Sequence, residues 1–131
     1  GCSAAEMDDT PIEAKALPAA AQTFLKSAFP SCEVSYAMKD IDFASVEYKV
    51  VLSCGYIVEF DGKGAWTEID GKGKALPDGV IPVAILTTVK NRFPEQKITE
   101  ITLDRGNYEV KLDNGLEVNL NAAGKILHID D

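Results

Sequence analysis

The chain has 131 residues, 46% of them hydrophobic and 26% charged, the size and balance of one ordinary globular domain. An excess of acids leaves a net charge of −8, which disfavours nucleic acid as a partner, because phosphate binding needs a basic face. No apolar run approaches the roughly 20 residues of a membrane-spanning helix.

Gly-Cys-Ser-Ala-Ala-Glu opens the chain, with Cys2 ahead of a polar, acidic stretch. This start resembles a bacterial lipoprotein after signal removal, so a membrane link is expected only through a lipid anchor at Cys2; a plain exported start is the other reading. Residues 1–16 are expected to form a flexible tether.

From Leu17 onward an internal repeat organises the sequence. LPAAAQTFLKSAFP aligns with IPVAILTTVKNRFP 64 residues later, and EYKVVLSCGYIVEFDGKGAWTEID with NYEVKLDNGLEVNLNAAGKILHID 60 residues later. Four extra residues in the first copy therefore fall between Val34 and Glu47. Such self-similarity dictates architecture before any local reading does. Each copy starts with a helix that has proline in its first turn, where a missing N–H costs nothing. Leu17, Ala20, Ala21, Phe24 and Ala28 in one, and Ile81, Ala84, Ile85, Thr88 and Val89 in the other, recur at helical spacing. Phe-Pro closes both helices, since a residue before proline avoids helical geometry. Phe24 and Val89 are expected to be buried.

Period-two segments follow, predicting strands over 32–39, 45–53, 55–60 and 65–69, then over 97–104, 107–113, 115–121 and 125–129. Tyr48, Val50, Leu52, Val58 and Phe60 share one face with their counterparts Tyr108, Val110, Leu112, Val118 and Leu120. That face is expected to carry the helices and the opposite one to stay open, as antiparallel sheets allow. The predicted fold is α+β: two tandem helix-plus-four-strand repeats, 17–70 and 81–131 with linker 71–80, forming a single domain of one antiparallel sheet with both helices on one face.

Asp-Gly-Lys-Gly occurs twice, at Asp61 and Asp70, and raises the question of calcium loops. An EF-hand loop needs oxygen donors at its third and fifth positions. Those are Lys63 and Ala65 after Asp61, and Lys72 and Lys74 after Asp70. The counterpart of the first loop, Asn121-Ala122-Ala123-Gly124, has no acid at all. A turn and part of a linker are the expected reading, with calcium at Asp61 and Asp70 as the alternative and no other cofactor.

Cys32 and Cys54 bracket the first hairpin of repeat one. Counting outward from the tight turn at Asp104–Asn107 puts Ile98 opposite about Asp113, and by transfer Cys32 opposite about Gly55; counting from the midpoint of the Asp40–Ala44 loop puts Cys32 opposite about Ser53. The two registers bracket Cys54, so a Cys32–Cys54 disulfide is one expectation, suited to an oxidising compartment. Two reduced, partly buried thiols are the other.

In their order and repetition, LPAAAQTFLKSAFP, YIVEFDGKGAWTEID, IPVAILTTVKNRFP and YEVKLDNGLEVNL resemble the PepSY-like proteins of Bacteroidetes envelopes, whose fold is similar to that of the beta-lactamase-inhibitor protein. The resemblance covers Leu17 to Asp131. It implies export to the periplasm or cell surface, the tandem fold above and no enzymatic activity, and it brings no catalytic residues to carry over.

Residues that invite a chemical reading have plainer ones. His128, the only histidine, aligns with Glu68 in a terminal strand, without a nucleophile motif to serve. Trp66 aligns with Ile126 and reads as core. Tyr36 and Met38, aligned with Glu100 and Thr102, read as asymmetric core packing or as an apolar patch. On the open face Val51 and Ile57 are apolar where the second copy has Lys111 and Glu117. The expected function is a non-enzymatic binding module of the cell envelope that meets a protein or peptide through Lys49, Val51, Ile57, Glu59 and Lys111. A calcium-responsive periplasmic protein is the alternative.

Overall fold

The computed structural model describes residues 8–131. Cys2, the expected lipid-bearing residue, lies outside them. Strand β1 is Asp8–Ile12, followed by a 3-10 turn at Ala14–Ala16 and helix α1 at Ala19–Ala28. Strands β2 (Val34–Ile41), β3 (Val46–Leu52), β4 (Ile57–Asp61) and β5 (Trp66–Asp70) come next. A second 3-10 turn at Asp78–Val80 leads to α2 (Val83–Arg92) and to β6 (Ile98–Asp104), β7 (Asn107–Leu112), β8 (Glu117–Leu120) and β9 (Ile126–Asp130). The fold is α+β, and its nine strands form one antiparallel sheet in chain order.

The chain divides into two compact units, one ending at Thr67 and one running from Glu68 to Asp131. The division falls within β5, not in the expected linker 71–80, because Glu68, Ile69 and Asp70 pair with Thr102, Ile101 and Glu100 of β6. A second departure lies at the start. Residues expected in a flexible tether form β1, which pairs with β2 from Asp8↔Ile41 to Ile12↔Ala37. The partnership supplies hydrogen bonds to an otherwise bare strand edge, and Pro11 is tolerated because β1 is itself an edge strand.

In the first unit the core is Leu17, Ala21 and Leu25 from the helical segment, with Tyr48, Val50, Leu52, Val58 and Phe60 from the strands. Phe24 is only half-buried, set edge-on to Phe60 at 6.0 Å and to Phe29 at 6.4 Å. Pro18 precedes α1, its carbonyl accepting from the Gln22 N–H, and the helix stops at Phe29, held out of helical geometry by Pro30 (φ −132°, ψ 61°). The second unit buries Ile81, Ile85 and Val89 with Ile101, Val110, Leu112, Val118 and Leu120. Its helix begins after Pro82 and ends at Phe93 in the same manner.

Asp61 and Asn121 close their turns alike. Asp61 Oδ1 accepts from the Lys63 and Ala65 amides at 2.9 and 3.0 Å, and Asn121 Oδ1 accepts from those of Ala123 and Lys125, both at 3.0 Å. Each turn ends in a glycine at positive φ, Gly64 (+92°) and Gly124 (+90°), packed directly under a helix. A Cβ on Gly64 would stand 2.9 Å from Ala21 N, and one on Gly124 would stand 2.6 Å from the Ala84 carbonyl oxygen.

Both first hairpins carry an irregularity that the sequence count omitted. Val34 faces Leu52 and Ile98 faces Leu112, with a bulge in each case before the next pair. The registers are therefore shifted by one residue from the expected Ile98–Asp113 pairing and from its transfer to the first copy, since a bulge sets two residues against one. Beyond Val34, the Ser53 amide donates to the Glu33 carbonyl at 2.7 Å. Cys32 and Cys54 follow on from that pair and are joined in a disulfide, with Cα atoms 5.6 Å apart.

Candidate functional site

The open sheet face of the second unit gathers carboxylates. Glu68 and Asp70 alternate along β5 and point the same way. Glu100 of β6 faces Asp70, Lys111 of β7 lies between Glu100 and Glu117, and Glu117 pairs with Asp130 of β9. The β6 bulge makes this possible. Ile98 and Ile101 are three residues apart yet both buried, and the intervening Thr99 is buried too, donating through Oγ1 to the Lys111 carbonyl at 3.3 Å. One extra residue thus reverses the alternation and turns Glu100 outward.

Carboxylate oxygens of Glu68, Asp70 and Glu100 all lie within 4.8 Å of one another, and all three residues are half-buried. Burial and the neighbouring Asp70 hold the Glu100 carboxyl above its ordinary range, with Glu117 adding to the effect; Lys111 and Lys72 only partly oppose it. Glu109 is also raised, by desolvation and by its hydrogen bond and charge repulsion with Glu117, with smaller repulsions from Glu100 and Asp130. These carboxylates are short of positive charge.

The donor set is all oxygen. Hard oxygen donors suit calcium, magnesium or manganese rather than softer metals. Calcium accepts irregular shells of six to eight oxygens, whereas magnesium demands near-ideal octahedral geometry. Three carboxylates on adjacent strands, with solvent available to complete the shell, fit calcium better.

Four of the five sequence-predicted partner residues come together, in the first unit. Lys49 sits between Met38 and Glu59, and Val51 between Tyr36 and Ile57, in two adjacent rows across β2, β3 and β4. Tyr36 is 46% exposed, and Met38, Val51 and Ile57 are half-buried, so an apolar strip does lie on this face. Lys111 does not join them; it belongs to the carboxylate face of the second unit. Asp70 belongs to the three-carboxylate group and Asp61 does not, its Oδ1 being occupied by the turn amides. His128 is exposed, with its Nε2 2.8 Å from Asp130 Oδ1. Trp66 is half-buried. Glu68 and Glu100 were missed by sequence reasoning, which aligned them with His128 and Tyr36 and had no means of placing β5 beside β6.

The class this defines is a small α+β protein with an open antiparallel sheet face and a carboxylate-lined surface, in which nothing points to catalysis. Residues 46–128 match the family described as "Putative beta-lactamase-inhibitor-like, PepSY-like". The chain belongs to this PepSY-like family. It is similar to a "putative periplasmic protein" of Bacteroides vulgatus ATCC 8482, at 40% identity over 95% of this chain and 98% of that one, with a TM-score of 0.89. It is similar also to a "putative calcium-regulated periplasmic protein" of Bacteroides thetaiotaomicron, at 36% identity over 100% of both chains and a TM-score of 0.90. A third relative, a "putative periplasmic protein of unknown function" from Bacteroides vulgatus ATCC 8482, shares 35% identity over 94% of this chain and 99% of that one, with a TM-score of 0.88. No curated protein matches. The protein is periplasmic, in keeping with these relatives, each described as a "putative" periplasmic protein, and among the described residues no helix is long and apolar enough to cross a membrane.

Proposed function

We propose that this is a non-enzymatic, calcium-responsive binding protein of the periplasm, and that calcium is held by Glu68, Asp70 and Glu100. The observation that carries the reading is the meeting of three half-buried carboxylates within 4.8 Å. The description of the Bacteroides thetaiotaomicron relative as calcium-regulated supports it independently. In this reading the two halves are tandem copies on a beta-lactamase-inhibitor-like fold, supported by the family match and by the recurrence of a 3-10 turn, a helix and four strands. The cation site draws on both copies, with Glu68 and Asp70 from the last strand of the first and Glu100 from the first strand of the second, where the first copy has Tyr36. Titration calorimetry on chelator-treated protein tests this. Heat with calcium chloride, weaker with magnesium chloride and lost in Glu100→Gln, is the expected result; no heat at millimolar calcium removes the proposal.

A second reading rests on the apolar strip of Tyr36, Val51 and Ile57, flanked by Lys49 and Glu59. An exposed apolar strip rimmed by charge is the composition of a protein or peptide contact. Under it, Val51→Glu with Ile57→Glu keeps the fold and abolishes capture of periplasmic proteins that the unaltered chain retains. Equal capture by both forms counts against it.

A further inference from the structure

A cleft of about 380 Å³ opens in the first unit between the Ala14–Ala16 turn, α1 and the start of β2. Leu17, Leu25, Phe29, Val34 and Leu52 form its apolar wall, and Lys15 and Lys26 border it. The volume is within the range of small-molecule sites. Gln22, the other polar side chain in the lining, is already engaged, its Nε2 donating to the Leu17 and Lys15 carbonyls at 2.8 and 3.2 Å. The wall therefore offers little hydrogen bonding to a peptide backbone or a sugar. It suits a hydrocarbon chain.

The second unit has a smaller cleft of about 260 Å³ in the corresponding place, between the Asp78–Val80 turn, α2 and the start of β6. There Lys90 is bound to Asp78 at 2.8 Å. In the first unit Lys26 stands in the place of Lys90, but Ala14 stands in the place of Asp78. Lys26 has no carboxylate partner among the described residues, and Lys15 is only loosely paired with Glu13 at 3.6 Å. In a chain of net charge −8, an unneutralised lysine at the mouth of an apolar cleft marks a place for an anionic head.

We propose that this cleft binds a single-chain amphiphile with a carboxylate head, a medium-chain fatty acid, with its alkyl chain along Leu25, Phe29 and Leu52 and its carboxylate at Lys26. Apolar burial supplies affinity and the lysine sets head-group choice. Calorimetry with decanoate, below its micelle concentration, is the test. Decanoate should bind, octanoate more weakly by up to about fourfold for each methylene removed, the value for full burial, and decanol and decyltrimethylammonium at least tenfold more weakly. Lys26→Gln and Ala14→Asp, both at exposed positions, should each weaken decanoate at least tenfold while leaving the thermal melt unchanged; the second variant transplants the Asp78–Lys90 pair. Amide NMR shifts on decanoate addition should cluster in 14–34. Absence of decanoate binding, equal binding of decanol, indifference to both variants, shifts centred on the Asp78–Lys90 cleft, or preference for an apolar peptide over decanoate would each overturn the proposal.

Discussion

Asp70 and Glu100 face each other directly across β5 and β6, two carboxylates on neighbouring strands of an otherwise regular ladder. Like charges so placed oppose pairing by a few tenths to about 1 kcal/mol. Glu100→Gln removes the opposition without changing shape. Without metal, this variant should be more stable than the unaltered chain by about 0.5 kcal/mol in urea denaturation. Calcium at a hundred times its dissociation constant should stabilise the unaltered chain by about 2.7 kcal/mol and leave the variant unmoved.

Acid should strengthen the metal-free protein. The carboxyls of Asp40, Glu100 and Glu109 are all held above their ordinary values in the folded chain, Asp40 by desolvation and then by Asp9, Asp42 and Glu47 around it. A folded state with raised carboxyl pKa values binds more protons than the unfolded one. The stability these three groups contribute is then fully present below the ordinary carboxylate values of 3.8 and 4.5 and is lost as pH rises through the raised ones. Urea midpoints in chelator should be higher at pH 5 than at pH 7.5, and millimolar calcium should narrow the gap by stabilising the ionised form. A midpoint that rises steadily from pH 5 to 7.5 in chelator contradicts this.

Three glycines separate backbone strain from steric contact. Gly64, Gly115 and Gly124 share φ near +90°, but only Gly64 and Gly124 lie beneath a helix. Gly115→Ala should cost about 1–2 kcal/mol from backbone conformation alone. Gly64→Ala and Gly124→Ala should cost about 1–3 kcal/mol more, because the helix must also move. Comparable melting temperatures for all three variants would show that the helices yield without penalty.

The Cys32–Cys54 disulfide spans a sequence separation of 22. On the chain-entropy estimate, closing a loop of that size contributes about 3 kcal/mol. Cys32→Ser with Cys54→Ser should lower stability by about that amount and leave calcium heats unchanged, since the carboxylates belong to the other unit. Thiol counting on denatured, unreduced protein checks the bond directly: reaction of both cysteines would refute it.

Much of the architecture follows from local rules. Helix limits were legible because a proline stands immediately before each helix, one position earlier than the first turn expected, and Phe-Pro at each end, and those constraints act within a few residues. Strand faces were legible from the alternation of Tyr48, Val50 and Leu52, and the open-face neighbours Lys49, Val51, Ile57 and Glu59 followed from the same parity. Three things depended on tertiary structure. The bulges after Val34 and Ile98 shifted both hairpin registers, and no residue type announces where a strand will take up an extra residue. Strand β1 gained its order from the edge of β2, a partner more than twenty residues away. The carboxylate group required β5 to pair with β6 across an intervening turn and helix, so Glu68 and Asp70 meet Glu100 only after a long-range pairing that period-two patterning cannot express. Alternation says which face a side chain takes; which strand lies alongside is decided by the packing of the whole chain.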